Sequence, residues 1–157
     1  MVKHMNIPCY VESLIYLSKS GIISKDNLIS RIDSIILHCN DVPHEIIDAS
    51  FASSKRLEDI CMFLKDYTSK HEIDYVAVKR QVMGELFKLY NDEDFPLGAA
   101  THCLYLLSMI FPFLDEHEQN EMSVLGDDYY LATEGIYNSF DEVKGRFEKF
   151  MGAYITV

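Results

Sequence analysis

Glycine and proline are scarce in this chain, with seven and four residues among 157, whereas apolar residues make up 48%. Disordered, collagen-like and low-complexity proteins show the opposite balance, so these classes are excluded. A chain of this length commonly forms one domain with a core of its own. We therefore expect residues 1–157 to fold as a single domain that is ordered almost from end to end.

Cysteine is also sparse, and no Cys-x-x-Cys pair occurs. The four cysteines lie far apart, each within an apolar helical pattern: Cys9, Cys39, Cys61 and Cys103. This spacing predicts buried free thiols rather than a disulfide framework. The first six residues contain no apolar signal core, which predicts a cytoplasmic protein, and residues 1–4 resemble a cloning remnant without functional weight.

Strict alternation of apolar and polar residues, which marks a half-buried strand, is missing throughout the chain. Apolar residues instead recur at three- and four-residue intervals, which predicts an all-α fold. Short connections between helices favour antiparallel neighbours, so we expect an up-and-down bundle or stacked helical hairpins with eight or nine helices.

Caps and helix breakers predict where these helices begin and end. The predicted starts are Pro8, Ser24, Pro43, Ser53 or Ser54, Ile73, Asp94 or Pro96, Asp115, Asp127 or Asp128, and Ser139. Gly126 is expected to separate the seventh helix from the eighth. Ser139 and Glu142 form a Ser-x-x-Glu capping box at the start of the ninth.

Charge is missing from residues 95–114, which contain no Asp, Glu, Lys or Arg. The length is close to that of a membrane-spanning helix, but Pro112 interrupts the pattern, and polar Thr101, His102 and Ser108 would be unsatisfied in lipid. We therefore expect the sixth helix to be the central buried helix of a soluble bundle.

Signatures of catalysis are missing as well, because neither a Gly-rich phosphate loop nor a Gly-x-Ser-x-Gly elbow occurs. Residues 117–121 resemble the zinc motif His-Glu-x-x-His, but Glu121 replaces the second histidine and no third ligand is identifiable. His102 is expected to be a hydrogen-bonded core residue. We predict no enzyme, metal or cofactor, and the low pI of about 4.8 argues against nucleic-acid binding.

Basic residues are absent between Lys88 and Lys144, and this is the most informative feature of the sequence. Residues 1–90 contain 11 Lys and Arg against 12 Asp and Glu, whereas residues 91–157 contain 3 against 13. The second half therefore carries a formal charge of −10 out of −11. We expect nothing local to neutralise these acids.

An acidic field of this kind serves solubility or recruits a basic protein partner. Nearby tyrosines, including Tyr137, are favoured interface anchors. The residues predicted to bind a partner are Asp92, Glu93, Asp94, Asp115, Glu116, Glu118, Glu121, Asp127, Asp128, Tyr129, Tyr130 and Glu134. Reversing Glu118, Glu121, Asp127 and Asp128 to lysine is expected to slow association, whereas reversing Glu12, Asp26 and Asp33 is expected to do much less.

The acidic region 92–142 together with helices such as 22–40 and 95–111 resembles the immunity proteins of bacterial contact-dependent growth inhibition systems. The resemblance is one of type and covers the whole chain. It implies a protein that binds the C-terminal toxin domain of a delivered effector, often a basic nuclease, and blocks its substrate cleft without catalytic residues.

Two alternatives stay open at this point. The first is an acidic secretion chaperone or adaptor that holds a cationic or amphipathic client. The second is an enzyme whose site is assembled from distant helices around His102, His117 and nearby acids, which a deep pocket with perturbed pKa values would support.

Overall fold

A computed structural model describes residues 6–92, 95–136 and 139–155. Over these residues the protein is all-helical, with eight helices, 77% helix and no strand, which confirms the all-α prediction. The helices are α1 (Ile7–Lys19), α2 (Lys25–His38), α3 (His44–Phe51), α4 (Leu57–Thr68), α5 (Tyr75–Asp92), α6 (Leu97–Ile110), α7 (Glu116–Thr133) and α8 (Phe140–Ile155).

The chain divides into two compact units, residues 1–78 and residues 79–157, and the division falls within α5. The single domain expected over residues 1–157 stays a prediction. Residues 1–4, the presumed cloning remnant, lie outside the described residues.

Local capping explains the first two helices of the unit 1–78. Asn6 precedes α1 and accepts a hydrogen bond from the Cys9 N–H at 2.9 Å, and Pro8 occupies the first turn. Gly21, with φ of +82°, follows the end of this helix, as predicted. Ser24 caps α2 by accepting from the Asn27 N–H at 3.0 Å, which confirms the predicted cap.

The start of α4 differs from the prediction. Residues 52–55 form a turn, in which the Lys55 N–H donates to the Ala52 carbonyl at 2.9 Å, and Arg56 is the N-cap residue. The predicted caps Ser53 and Ser54 are wrong, because both residues lie in the turn that follows α3 and α4 begins only after Arg56. Apolar side chains from all four helices then form the core of the unit, including Leu14, Leu28, Ile46, Ile60 and Leu64.

In the unit 79–157, α7 is one continuous helix, so the predicted break at Gly126 and a new helix at Asp127 or Asp128 are wrong. Gly126 is a packing residue: a Cβ built there lies 3.6 Å from the Thr101 carbonyl oxygen and 3.9 Å from the Tyr105 Cβ. These are ordinary van der Waals distances, so the approach of α6 does not require a glycine here, and the surrounding helix tolerates its conformational freedom.

The end of α6 and the starts of α7 and α8 lie where proline and the capping residues predict them. α6 ends before Pro112, and Asp115 and Glu118 form a complete capping box at the start of α7. Ser139 accepts from the Glu142 N–H at 3.2 Å, so α8 begins where its predicted box places it.

Only one side of α6 is buried. Thr101, Leu104 and Leu107 are fully or almost fully buried, whereas Tyr105 and Met109 are exposed. The prediction of a central buried helix is therefore wrong for this outer face. Within the described ranges, no helix combines the length and apolar character that crossing a membrane requires.

All four cysteines are free thiols. Cys9, Cys61 and Cys103 are buried as expected, and burial raises the pKa of Cys103 to about 11. Cys39 is half-buried where α2 ends.

Candidate functional site

The predicted partner-binding residues fall into three groups once their surroundings are known. Glu93 and Asp94 lie outside the described residues, as does Tyr137. Exposed members are Asp92, Asp115, Glu116, Asp127, Tyr130 and Glu134, and Tyr129 is half-buried. The remaining three, Glu118, Glu121 and Asp128, form ion pairs inside the unit 79–157.

Glu118 is held by groups from α5, from α8 and from the N-cap residue of its own helix. Lys79 of α5 donates to both carboxylate oxygens at 3.0 and 3.1 Å, and Tyr154 of α8 donates to Oε2. The Asp115 N–H adds a third donor at 3.1 Å. Burial alone would raise the pKa of Glu118, but these hydrogen bonds and Lys79 hold it below its usual value.

Arg146 of α8 joins two acids of α7. Its guanidinium donates to Glu121 at 2.9 Å and to Asp128, whose residue is only 6% exposed. These acids lie seven residues apart, on one face of α7. The expectation that nothing local neutralises the acidic half is wrong for Glu118, Glu121 and Asp128. The neutralising cations are Lys79 of α5 and Arg146 of α8, which lie on either side of the interval without basic residues.

Members of these ion pairs line a surface cleft of about 600 Å³. It is lined by Asp115, His117, Glu118, Glu121, Arg146, Lys149, Phe150, Ala153 and Tyr154. The His117 ring lies 6.2 Å from the Phe150 ring, and Glu121 is paired with Arg146. Two acids of this cleft, Glu118 and Glu121, are thus already paired with cations, whereas the exposed Asp115 carboxylate accepts from the Glu118 N–H that it caps.

Among the described residues, no group of three or more His, Cys, Asp or Glu side chains lies close enough together to hold a metal ion. The absence of a bound metal and the absence of a catalytic role both remain predictions.

The outer face of α6 and α7 has a different character. Neither helix contains Lys or Arg, and Asp127 and Tyr130 of α7 are exposed, as is its C-cap residue Glu134. His102 and Tyr105 of α6 are exposed as well, with ring centroids 6.4 Å apart. The core role expected for His102 is therefore wrong. We call this surface, defined by these five residues, the acidic-aromatic face.

A small groove of about 280 Å³, the α6–α7 groove, is cut into this face. Its lining residues are Gly98, Thr101, His102, Tyr105, Gly126, Asp127 and Tyr129. The residues near the start of α6 lie beside those near the end of α7, so the two helices run antiparallel. The groove thus brings one exposed carboxylate next to aromatic rings from both helices.

Sequence reasoning missed a cluster around Glu12 in the unit 1–78. Glu12 is 0% exposed and accepts hydrogen bonds from Lys65 at 2.8 Å, Thr68 at 2.7 Å, Tyr75 at 2.8 Å and Tyr16 at 3.1 Å. Its treatment as an ordinary surface acid is wrong. The sequence did indicate that Glu12 is buried, because the residue lies between Val11 and Leu14 on the apolar side of α1.

Comparison of the chain with protein-family models, curated proteins and solved structures found no match.

Proposed function

We propose that this chain is an immunity protein that binds and neutralises a basic toxin domain, specifically a nuclease, by covering its substrate cleft. The observation that carries the proposal is the acidic-aromatic face, where Asp127 and Glu134 are exposed on a pair of helices without Lys or Arg. The same face presents Tyr130, which is 61% exposed, close to both acids in helical spacing.

The physics of this face favours a cationic protein over other partners. An uncompensated acidic surface repels nucleic acid and anionic lipid and accelerates association with a basic protein by about ten- to a thousandfold. In a nuclease cleft, carboxylates would occupy positions that suit substrate phosphates. Tyrosine rings beside them supply contact area at low entropic cost, as anchors of protein interfaces commonly do.

The internal ion pairs narrow the predicted contact set. Lys79 and Arg146 already engage Glu118, Glu121 and Asp128, so these acids contribute little free charge to a partner. Reversing them to lysine would break contacts between α7 and its neighbours and would confuse folding with binding. The informative acids are therefore the exposed ones, above all Asp127 and Glu134.

The first test uses the C-terminal domain of the protein whose gene lies immediately upstream of the gene for this chain. We expect that domain to be basic and toxic, and we expect cells that co-express this chain to survive. An upstream domain without basic character, or toxicity that this chain does not relieve, would contradict the proposal.

Charge reversal then locates the interface. Asp127→Lys with Glu134→Lys should slow association with the purified toxin domain by about tenfold at low salt and less at high salt, because exposed charges act on the encounter rate. The matched control is Asp48→Lys with Asp66→Lys, which alters the net charge equally at exposed sites of the unit 1–78. If both pairs of substitutions slowed association equally, the acidic-aromatic face would act only through the net charge of the protein and would not be the interface.

A second candidate is a secretion chaperone for a cationic, amphipathic client, and exposed apolar side chains favour it. Met109 of α6 is 59% exposed, and Phe113 just beyond this helix is 77% exposed. Hydrogen exchange of the bound partner separates the two functions. A toxin that keeps its folded protection pattern, and regains activity when salt releases it, supports immunity, whereas an unprotected client supports the chaperone.

A further inference from the structure

We propose that the α6–α7 groove binds the guanidinium group of one arginine of the partner, between the Asp127 carboxylate and the Tyr105 ring. This inference rests on the proposed function, because it names the side chain with which a basic partner would engage the acidic-aromatic face. It differs from a general field effect, because it assigns an individual pocket.

The size of the groove suits a single side chain. Its volume of about 280 Å³ lies just below the roughly 300–1,000 Å³ of typical small-molecule sites. The groove also opens on an exposed face, as a pocket for a partner's side chain must. Anchors of protein interfaces commonly fill pockets of this kind, and arginine is among the residues most enriched there.

The charge of the groove selects a cation. Asp127 is exposed, and among the described residues no side chain forms a hydrogen bond or ion pair with its carboxylate. In contrast, Glu118, Glu121 and Asp128 on the same helix are all paired. Asp127 is therefore the acid of the groove that is left for an external donor, and it disfavours an anionic ligand.

The aromatic lining selects guanidinium over ammonium. Tyr105 is 39% exposed and lines the groove together with the half-buried Tyr129 ring. A guanidinium is planar and weakly hydrated, so it stacks on a ring while its N–H groups reach a carboxylate. A lysine ammonium provides the charge but not the stacking surface.

Two glycines shape the groove. Gly126 lines the groove where α7 packs against Thr101 and Tyr105 of α6, and a Cβ at Gly98 would lie only 2.7 Å from the Tyr129 ring. The Phe140 ring also packs edge-on against Tyr129, at 5.6 Å between ring centroids. The Tyr129 wall of the groove is thus packed before a partner binds, which lowers the entropic cost of binding.

The test titrates the isotope-labelled full chain with N-acetyl-L-arginine amide and follows backbone amide resonances by NMR. We expect saturable shifts at Thr101, His102, Gly126 and Asp127. N-acetyl-L-citrulline amide has nearly the same shape without the charge and should produce none, and the lysine amide should bind more weakly. Equal shifts from the citrulline probe, or an arginine titration that leaves these resonances in place, would overturn the proposal.

Variants make the assignment specific. Asp127→Asn should weaken arginine binding about tenfold, the range of a hydrogen bond to a charged group. The matched control Glu134→Gln removes the same charge from an exposed residue of the α7 C-terminus that does not line the groove. Circular dichroism checks the fold of each variant, and equal weakening by both would overturn the pocket.

The outcomes for the groove and for the immunity function are separable. A chain that protects cells but does not bind the arginine probe overturns the groove and leaves the function standing. A chain that binds the probe through Asp127 but fails to protect cells overturns the immunity function and leaves the groove as an arginine site.

Discussion

Glu12 shows how a single buried charge is accommodated in this protein. Burial alone would raise its pKa, but hydrogen bonds from Lys65, Thr68 and Tyr75 hold the pKa below its usual value. Tyr16 and Tyr75 stay protonated, because burial and the neighbouring carboxylate raise their pKa values. The cluster links α1, α4 and the start of α5 within the unit 1–78.

Removal of the carboxylate should be strongly destabilising. Glu12→Ala leaves buried hydroxyls without this acceptor and should lower the free energy of unfolding by about 2–4 kcal/mol, since each buried donor left unsatisfied costs about 1–3 kcal/mol. Lys65→Met leaves the buried carboxylate without its counter-charge and should cost about 3 kcal/mol, the low end for a broken buried pair, because three hydroxyl donors still reach the carboxylate. Urea unfolding measures both, with Asp26→Ala at an exposed site as the control. A Glu12→Ala variant as stable as this control would contradict the role of the cluster.

At the scale of helices, the contact between α6 and α7 depends on where glycine occurs. Gly126 lies inside α7 with enough space for a methyl group, whereas Gly98 in the first turn of α6 lies directly against the Tyr129 ring. Gly145 of α8 provides a comparison, because no atom lies near a Cβ built there.

These environments predict opposite effects of alanine. Gly126→Ala should raise stability by about 0.5–1 kcal/mol, as Gly145→Ala should, because alanine is the better helix former and its methyl group fits at both sites. Gly98→Ala should lower stability by about 1–3 kcal/mol, because the Tyr129 ring must move. Thermal unfolding of the three variants checks this, and a loss at Gly126 would show that the helices pack more closely than described.

Across the whole molecule, acid should reduce stability through both units. Glu12 and Glu118 have folded-state pKa values below their ordinary value of 4.5. A carboxyl group with a lowered pKa contributes stability that is complete above the unfolded-state pKa and disappears as the pH falls through the folded-state value. The free energy of unfolding should therefore be constant near neutral pH and decline below about pH 5.

Urea unfolding between pH 3 and pH 7 measures this decline, in salt high enough to screen long-range repulsion among the acids. Glu12→Gln and Glu118→Gln should each make the decline shallower, since each removes one group that must take up a proton. Asp66→Asn, at an exposed acid of α4, should leave it unchanged. A decline of the same steepness in all three variants would assign the acid sensitivity to other groups.

Helix positions were predictable where the signal is local. Ser24 and Ser139 cap helices because each accepts from an N–H three residues later, and Pro112 follows the end of α6 because proline cannot continue a helix. The three- and four-residue spacing of apolar residues was sufficient for the all-α class. These features depend on neighbours within one or two helical turns.

The arrangement of the candidate site was not predictable in this way. Whether Gly126 ends a helix or lies within one, against another helix, depends on α6, which lies more than 15 residues earlier in the chain. Likewise, the sequence shows an acidic second half, but the pairing of Glu118 with Lys79 and of Asp128 with Arg146 requires separate helices to meet. The sequence by itself determined helix type and total charge, because these are sums over local residues. Only the tertiary structure decided that no described side chain pairs with the Asp127 carboxylate, because neutralisation depends on which side chains come within hydrogen-bonding distance.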